Sequence, residues 1–156
     1  MAQQKAAEDR VHMARAIALA LPGVGKTADN PSVGCVIARG ALVVAEGATG
    51  VGGRPHAEEQ ALARVEGDLS DATAYITLEP CGARSVGGLA CSTLLAERRI
   101  GRVVVACVDP SPYAAGHGVA RLRGVNIPVE VGLLADEAQS ALYEAYVTRL
   151  ANLAAR

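Results

Sequence analysis

The sequence predicts an α/β fold, a three-layer α/β/α sandwich built around a mixed five-stranded sheet. A strand-turn-strand pattern over 33–48 is followed by helical and strand-like segments in alternation, an order typical of helices packed on both faces of a sheet. The 156 residues suffice for one domain with a buried core. Phe and Trp are absent and only four Tyr occur, although 51% of the residues are hydrophobic. We therefore expect one domain, 1–156, with a core of Ala, Val, Leu and Ile.

Charge and apolar patterning narrow the class of protein. The 15 Lys and Arg residues against 16 Asp and Glu residues give a net charge of −1, which lacks the basic footprint of a nucleic-acid binder. The longest apolar runs are too short to span a membrane, and the N-terminus has no apolar signal region. Four Cys without a secretion signal favour metal or core roles over disulfides. We expect a cytoplasmic protein that acts on a small molecule.

The first third of the chain predicts a helix, a loop and a β-hairpin. Apolar residues at helical spacing indicate a helix from about residue 5 to 21, in which His12 lies beside the apolar stripe and is expected to be partly exposed, without a role. Gly, Pro, Asp and Asn make 23–32 a loop. Residues rich in β-branched side chains predict a hairpin over 33–48, and Cys35 within it is expected to be a buried small hydrophobe.

The rest of the chain alternates between helix and strand after a second Gly-rich loop. The predicted elements are helix 57–65, strand 72–78, helix 92–99, strand 102–108, helix 118–123, strand 127–131 and helix 134–153. The strand 102–108 is almost continuously apolar, as buried parallel strands are. Cys107 within it is therefore expected to belong to the core.

The residues that point to chemistry are Pro55-His56-Ala57-Glu58, followed by Pro80-Cys81 and Cys91. One imidazole and two thiolates can fill three corners of a tetrahedral Zn²⁺ site, which leaves the fourth for water and marks a catalytic site. A His-x-Glu followed by Pro-Cys and a later Cys is the signature of zinc nucleobase deaminases, in which the Glu is the acid and base. A single His is more often a core residue, but Glu58 and the two Cys outweigh that interpretation.

The predicted elements bring these residues to one place. His56 and Glu58 come at a helix N-terminus, where the dipole favours an ionised Glu58, and Cys91 begins another helix. Cys81 follows a strand, at the end where open α/β sheets carry their sites, and the loop from Asp109 follows the next strand. We therefore expect the three ligands, Glu58 and the Asp109 loop to meet.

The expected chemistry is hydrolytic deamination. Zinc lowers the pKa of a bound water from about 15.7 toward about 7. Glu58 can then take the proton of the water, pass it to a ring nitrogen and protonate the departing amine. Ammonia leaves, and a carbonyl remains on the ring.

The chain resembles the cytidine-deaminase-like superfamily, and within it most closely the pyrimidine deaminase domain of riboflavin biosynthesis. The similar motifs are Asn-Pro-Ser-Val-Gly, Pro-His-Ala-Glu, Thr-Leu-Glu-Pro-Cys and Asp-Pro-Ser-Pro. The resemblance implies a cytidine-deaminase-like sandwich and a homodimer or larger homo-oligomer. It implies that zinc is bound by His56, Cys81 and Cys91, with Glu58 as the proton shuttle. It also implies substrate contacts from Asn30, Ala57, Asp109, Ser111 and His117.

Three features depart from that family. A loop of the type Ser-His-x-Gly-Arg-Thr-Pro-Pro is replaced by 82–90, which lacks its polar groups. The family's Asp-Pro-Asn-Pro and Gly-Lys-Gly are here Asp109-Pro110-Ser111-Pro112 and Gly116-His117-Gly118. We also expect no reductase domain within 1–156, so that a separate reductase would serve the pathway.

The leading hypothesis is a zinc hydrolase that deaminates an amino-substituted pyrimidine or related heterocycle. The specific reaction we expect is the diaminohydroxyphosphoribosylaminopyrimidine step of riboflavin biosynthesis. A deaminase of a free base such as guanine, cytosine or an aminotriazine is the alternative. Deamination of tRNA or single-stranded DNA is disfavoured because stacking platforms need exposed aromatics, and Tyr113 is the one loop candidate. A non-catalytic module stabilised by zinc is disfavoured because a structural site has no need of Glu58.

Overall fold

A computed structural model of the chain describes residues 1–83, 88–112 and 114–156. In chain order its elements are α1 (Ala2–Ala20), β1 (Gly34–Arg39), β2 (Leu42–Ala48), α2 (Ala57–Ala63), β3 (Thr73–Leu78), α3 (Cys91–Glu97), β4 (Arg102–Cys107), α4 (His117–Gly124), β5 (Val129–Val131), α5 (Ala135–Ala138) and α6 (Glu144–Ala154). A short 3-10 turn follows α1, and a π-helical turn at Gln139–Tyr143 joins α5 to α6. Tyr113 and residues 84–87 of the predicted loop between Cys81 and Cys91 lie outside the described residues.

The five strands form one mixed sheet in the order β2-β1-β3-β4-β5. β1 pairs antiparallel with β2 and with β3, whereas β3–β4 and β4–β5 are parallel pairs. The predicted mixed five-stranded sheet is confirmed. Because β3 and β4 are parallel neighbours, the segments that follow them emerge at the same edge of the sheet.

Helices cover both faces of this sheet, as the three-layer prediction requires. Successive strand residues face opposite sides, so Ile76 and Val105 pack with α2, α3 and α4 in one apolar cluster. Tyr75 and Val104 pack with α1 and with residues of the C-terminal helical region in another. The two clusters consist largely of Ala, Val, Leu and Ile, as the composition predicts.

The first helix is attached to the sheet by a buried polar network. Asp9 accepts hydrogen bonds from Tyr75, at 2.7 Å, and from Arg102, at 2.7 and 3.0 Å. The prediction that His12 is partly exposed is wrong. Its side chain is buried because α1 crosses above the hairpin turn, where Nε2 lies 2.8 Å from the carbonyl oxygen of Gly40.

The remaining local predictions differ from the structure mainly at element ends. The first helix starts three residues earlier than expected, at Ala2, and the last strand begins at Val129. Cys35 is fully buried, as predicted. Cys107 is only half-buried and packs against the cluster on the α1 face. Among the helices that the structure describes, none is both long and apolar enough to cross a membrane.

Candidate zinc and substrate site

Three separate elements bring one imidazole and two thiols together. His56 is the N-cap of α2, Cys81 follows β3, and Cys91 is the first residue of α3. One ligand atom from each lies within 4.8 Å of the other two. Nδ1 of His56 is 3.4 Å from Sγ of Cys91, and the backbone N–H of Cys91 donates to Sγ of Cys81 at 3.2 Å.

Local hydrogen bonds fix the backbone of these ligand residues. The N–H of His56 donates to the Glu59 carboxylate at 3.1 Å, which closes the first turn of α2. Both the backbone N–H and the hydroxyl of Ser92 donate to the carbonyl oxygen of Cys81, at 3.2 and 2.9 Å. The turn after β3 and the start of α3 are therefore held together by hydrogen bonds within the protein.

The donor set suits zinc. Hydrogen bonds from the Cys91 thiol and from His56 lower the pKa of Cys81 to about 4 despite its partial burial. The pKa of Cys91 is raised because its thiol donates to Cys81 and because it is buried. Of the two sulfurs, that of Cys81 therefore favours the thiolate form, and zinc binding requires both to be deprotonated. A neutral imidazole and two thiolates are ligands that zinc prefers.

Glu58 lies beside this group in the first turn of α2 and is 4% exposed. The position at a helix N-terminus favours an ionised carboxyl group. In the structure, burial and the nearby Cys81 raise the pKa of Glu58 to about 7, and the opposing effects of its backbone N–H, His56 and Cys91 are smaller. Desolvation therefore outweighs the helix N-terminus. A carboxyl group with a pKa near neutrality can both accept and donate a proton.

The ligand group opens into a cavity of about 590 Å³. Its lining includes His56, Glu58 and Cys81, together with Asn30, Asp109 and Ser111. Three of the five predicted substrate contacts therefore lie on the same cavity as the metal ligands.

The Asn30 side chain connects two loops at the cavity wall. Its Nδ2 donates to the carbonyl oxygen of Gly53 at 2.9 Å, and the backbone carbonyl oxygen of Asn30 accepts from the Thr27 hydroxyl at 2.6 Å. Gly53 has φ +99°, and a Cβ there would lie 2.7 Å from both Nδ2 of Asn30 and the Thr27 oxygen. Only glycine fits this close contact. Asn30 thus positions the loop before α2 as well as lining the cavity.

Asp109 is buried where the chain leaves β4. Its Oδ1 accepts from the backbone N–H of Ser111 and from the Tyr146 hydroxyl, both at 2.9 Å. Burial raises the pKa of Asp109, although these hydrogen bonds oppose the shift. The loop after β4 is thereby fastened to α6, and Ser111 is held at the cavity.

The structure does not bring the other two predicted contacts to the cavity lining. Ala57 is fully buried in the core cluster that includes α2. His117 is exposed and is the first residue of α4. Its Cβ lies only 2.7 Å from the position that a Cβ on Gly82 would occupy, so it packs beside the turn that follows Cys81.

Glu79 is a site residue that sequence reasoning did not assign. It is 4% exposed, and its two carboxylate oxygens accept from the backbone N–H groups of Gly116 and Val119, at 2.8 and 3.0 Å. These N–H groups are at the N-terminus of α4, which favours a carboxylate. Gly118 in the same turn allows close packing, since a Cβ there would lie 1.8 Å from the oxygen of Pro80. The sequence signal that could have identified Glu79 is its charge, because it lies between an apolar strand and the Pro-Cys motif.

Comparisons with known proteins agree with this geometry. A family model described as "Cytidine and deoxycytidylate deaminase zinc-binding region" matches residues 6–107. The chain is 46% identical to the riboflavin biosynthesis protein RibD of Actinobacillus pleuropneumoniae over 133 residues, which cover 85% of the chain and 35% of RibD. The chain thus spans about a third of the length of the RibD relatives it matches.

Two further matches bear on the fold and the extent of the similarity. The diaminohydroxyphosphoribosylamino-pyrimidine deaminase of Buchnera aphidicola subsp. Acyrthosiphon pisum is 39% identical over 131 residues, covering 84% of the chain and 88% of that protein. The crystal structure of a diaminohydroxyphosphoribosylaminopyrimidine deaminase/5-amino-6-(5-phosphoribosylamino)uracil reductase from Thermotoga maritima matches with a TM-score of 0.84 and 35% identity. That match covers 92% of the chain and 42% of the bifunctional protein.

Proposed function

The chain belongs to the zinc-binding cytidine and deoxycytidylate deaminase family, and we propose that it hydrolytically deaminates a phosphoribosylated diaminopyrimidine. One observation carries this proposal. The ligand atoms of His56, Cys81 and Cys91 converge within 4.8 Å beside the buried Glu58, on a cavity of about 590 Å³. A metal site that only stabilised the fold would have no need of a buried carboxyl group at an open cavity.

The proposed roles follow from the positions of these side chains. His56, through Nδ1, and the sulfurs of Cys81 and Cys91 would hold the zinc ion. When bound, zinc supplies a Lewis acid that makes hydroxide available near neutral pH. The donor N–H of Cys91 and the Ser92 hydroxyl hold the Cys81 turn in the geometry that presents both sulfurs to the same point.

Glu58 is the proposed proton carrier. Its carboxylate accepts a proton from the attacking water and delivers it to the ring nitrogen beside the carbon that carries the amino group. It then takes the remaining proton from the oxygen added to the ring carbon and gives it to the departing nitrogen, so that water and the amine are converted to a ring carbonyl and ammonia. Its burial keeps this proton away from bulk solvent, because only 4% of the residue is exposed.

The substrate class follows from the cavity and from the relatives. Asn30 and Asp109 offer amide and carboxyl groups on the cavity wall, and such groups select a heterocycle through its ring edge and exocyclic groups. Two of the reported relatives are named for the same phosphoribosylaminopyrimidine deamination. We therefore propose the phosphoribosyl diaminopyrimidine over the free bases as the substrate.

The proposal extends to what happens after the reaction. The Thermotoga maritima protein is named both as deaminase and as 5-amino-6-(5-phosphoribosylamino)uracil reductase. We propose that a reductase of that kind consumes the product of this chain. The single-domain organisation over 1–156, the homo-oligomer and the cytoplasmic location stay predictions from the sequence.

Ammonia release by the zinc-loaded protein tests the proposal. The panel contains the phosphoribosyl diaminopyrimidine, cytidine, cytosine, guanine, adenine and aminotriazines. We expect release from the phosphoribosyl compound. Release only from a free base would refute the proposed substrate while retaining the chemistry.

The mechanism has its own test in Glu58→Gln. We expect this variant to lose turnover by at least about 100-fold, since general acid–base catalysis contributes roughly 10²–10⁴-fold, while its zinc content stays at the wild-type level. Glu66→Gln, at an exposed position beyond the end of α2, is the matched control and should retain activity. Wild-type turnover by Glu58→Gln would contradict the assigned role.

A further inference from the structure

One cationic side chain on the cavity wall, that of Arg54, has no role in the proposed reaction. Arg54 lines the cavity with His56 and Glu58 and is half-buried. Within the described part of the chain, its guanidinium has no hydrogen bond or ion pair. A half-buried guanidinium that lines a binding cavity suits an anionic ligand group, because burial removes part of its hydration and no described residue supplies a hydrogen-bond acceptor in return.

Among the described residues of the lining, the other arginine is Arg149, and it already has partners. Arg149 donates to the backbone oxygen of Asp29, lies 3.6 Å from the Asp29 carboxylate, and stacks over the Tyr146 ring at 5.5 Å. Its charge is therefore balanced within the protein. Arg54 differs from it in carrying a charge that no described residue balances.

The acidic side chains on the lining interact with groups other than Arg54. Glu58 is influenced by His56, Cys81 and Cys91. Both oxygens of Glu79 accept backbone N–H groups, and Asp29 pairs with Arg149. Asp109 faces Ser111 and Tyr146. Arg54 thus lines the cavity without an ion pair to any described carboxylate.

The backbone that carries Arg54 is firmly held. The N–H groups of Gly50, Gly52 and Gly53 donate to the oxygens of Pro55, Lys26 and Gly50, at 3.0, 2.8 and 2.9 Å. Asn30 adds the hydrogen bond to Gly53 described above. A fixed backbone lowers the entropy that a long side chain loses when it binds a ligand.

The position of Arg54 near the metal ligands suits a group that binds a phosphate beside the reacting ring. It precedes the ligand His56 by two residues, so their Cα atoms are at most about 7 Å apart. The phosphate of a phosphoribosyl pyrimidine is separated from the reacting ring by the ribose. Its binding group must therefore lie beside the metal ligands and not among them, which is where Arg54 lies.

We infer that Arg54 forms an anion subsite that binds the phosphate of the substrate. The inference rests on the proposed function, because it assigns the phosphate of the proposed substrate to a residue. The planar guanidinium can donate two parallel hydrogen bonds to phosphate oxygens, a geometry that a lysine or an amide does not reproduce.

The test compares the phosphoribosyl substrate with its dephosphorylated riboside in wild-type protein and in Arg54→Gln. Charge-assisted hydrogen bonds of this kind correspond to a roughly 10- to 100-fold change in binding. We expect KM for the phosphorylated substrate to rise by about that factor, with kcat nearly unchanged and the riboside affected less than about twofold. Arg10→Gln, at an exposed position on α1, is the control.

An equal effect of Arg54→Gln on both compounds, or no effect on the phosphorylated one, would overturn the subsite. If the wild-type protein does not deaminate the phosphorylated pyrimidine, the proposed function fails by itself. The subsite is then tested by calorimetric titration of zinc-loaded protein with ribose 5-phosphate and with inorganic phosphate. Binding that is lost in Arg54→Gln and kept in Arg10→Gln supports it. Equal binding in all three proteins, or none in the wild type, overturns it.

Discussion

Replacing Glu79 by Gln would disrupt half of a buried two-point contact next to the metal ligands. In the wild-type protein its two oxygens accept the N–H groups of Gly116 and Val119, at 2.8 and 3.0 Å. A Gln side chain keeps one acceptor oxygen but turns an NH₂ group toward the second backbone N–H. One donor at the start of α4 is then left without an acceptor in a buried position.

The cost follows from the contacts. A hydrogen bond to a charged group contributes about 1.5–3 kcal/mol, and a buried unsatisfied donor costs about 1–3 kcal/mol. Both ranges describe the loss of the same hydrogen bond and are therefore not added. We expect Glu79→Gln to lower the free energy of unfolding by about 2–3 kcal/mol. For a chain of this size that is a fall in melting temperature of roughly 4–12 °C.

The same substitution should weaken zinc binding. Glu79 is two residues before the ligand Cys81, and it holds α4 against the Pro80 backbone. Loss of a residue that orients a metal ligand typically costs about 10- to 100-fold in metal affinity. Competition with a chromophoric chelator measures that affinity, and urea unfolding of the metal-free protein measures the stability. Glu66→Gln is again the control. Zinc affinity within about twofold of wild type in Glu79→Gln would refute the positioning role.

Two further predictions concern stability. At free zinc of about 1,000 times its Kd, binding should stabilise the fold by about 4 kcal/mol. A chelator should therefore lower the melting temperature by roughly 8–16 °C, and added zinc, but not Mg²⁺, should restore it. An unchanged melting temperature would contradict a zinc site coupled to folding. Burial alone would raise the pKa of Asp9, but hydrogen bonds from Arg102 and Tyr75 lower it below its ordinary value. The ionised Asp9 therefore stabilises the folded protein above about pH 4, and this stabilisation is lost as pH falls through the folded-state pKa. Asp9→Asn should therefore be less stable than wild type at pH 7, with a gap that narrows below pH about 4 in thermal unfolding, and a gap independent of pH would count against the ion pair.

The parts of the fold and site that sequence reasoning could predict are those set by local pattern. Strand and helix periodicity predicted the sheet because alternate residues such as Tyr75 and Ile76 must face opposite layers. The sequence pattern predicted that His56 and Cys91 lie at helix starts and that Cys81 lies at a strand end, and the structure places their ligand atoms together. The element ends were less accurate because capping and packing decide them.

What could not be predicted depends on distant partners. Glu79 is held by residues 37 and 40 positions later in the chain, at Gly116 and Val119. His12 is buried by a turn 28 positions away, at Gly40. The pKa of Glu58 depends on burial by the whole site, which outweighs the local effect of the helix N-terminus. In each case the environment of the residue is set by parts of the chain that its own segment does not indicate.

The site separates the chemistry from substrate selection. The metal ligands and Glu58 stand at the ends of α2, β3 and α3, so the packed core fixes their positions. The cavity wall beyond them is made by loops, which hydrogen bonds such as Asn30 to Gly53 join to one another. Substitutions in these loops can therefore change which heterocycle or anion is bound without moving the proton carrier. Arg54 is carried by such a loop and lines the cavity, so its replacement should change anion binding and leave the position of Glu58 unchanged.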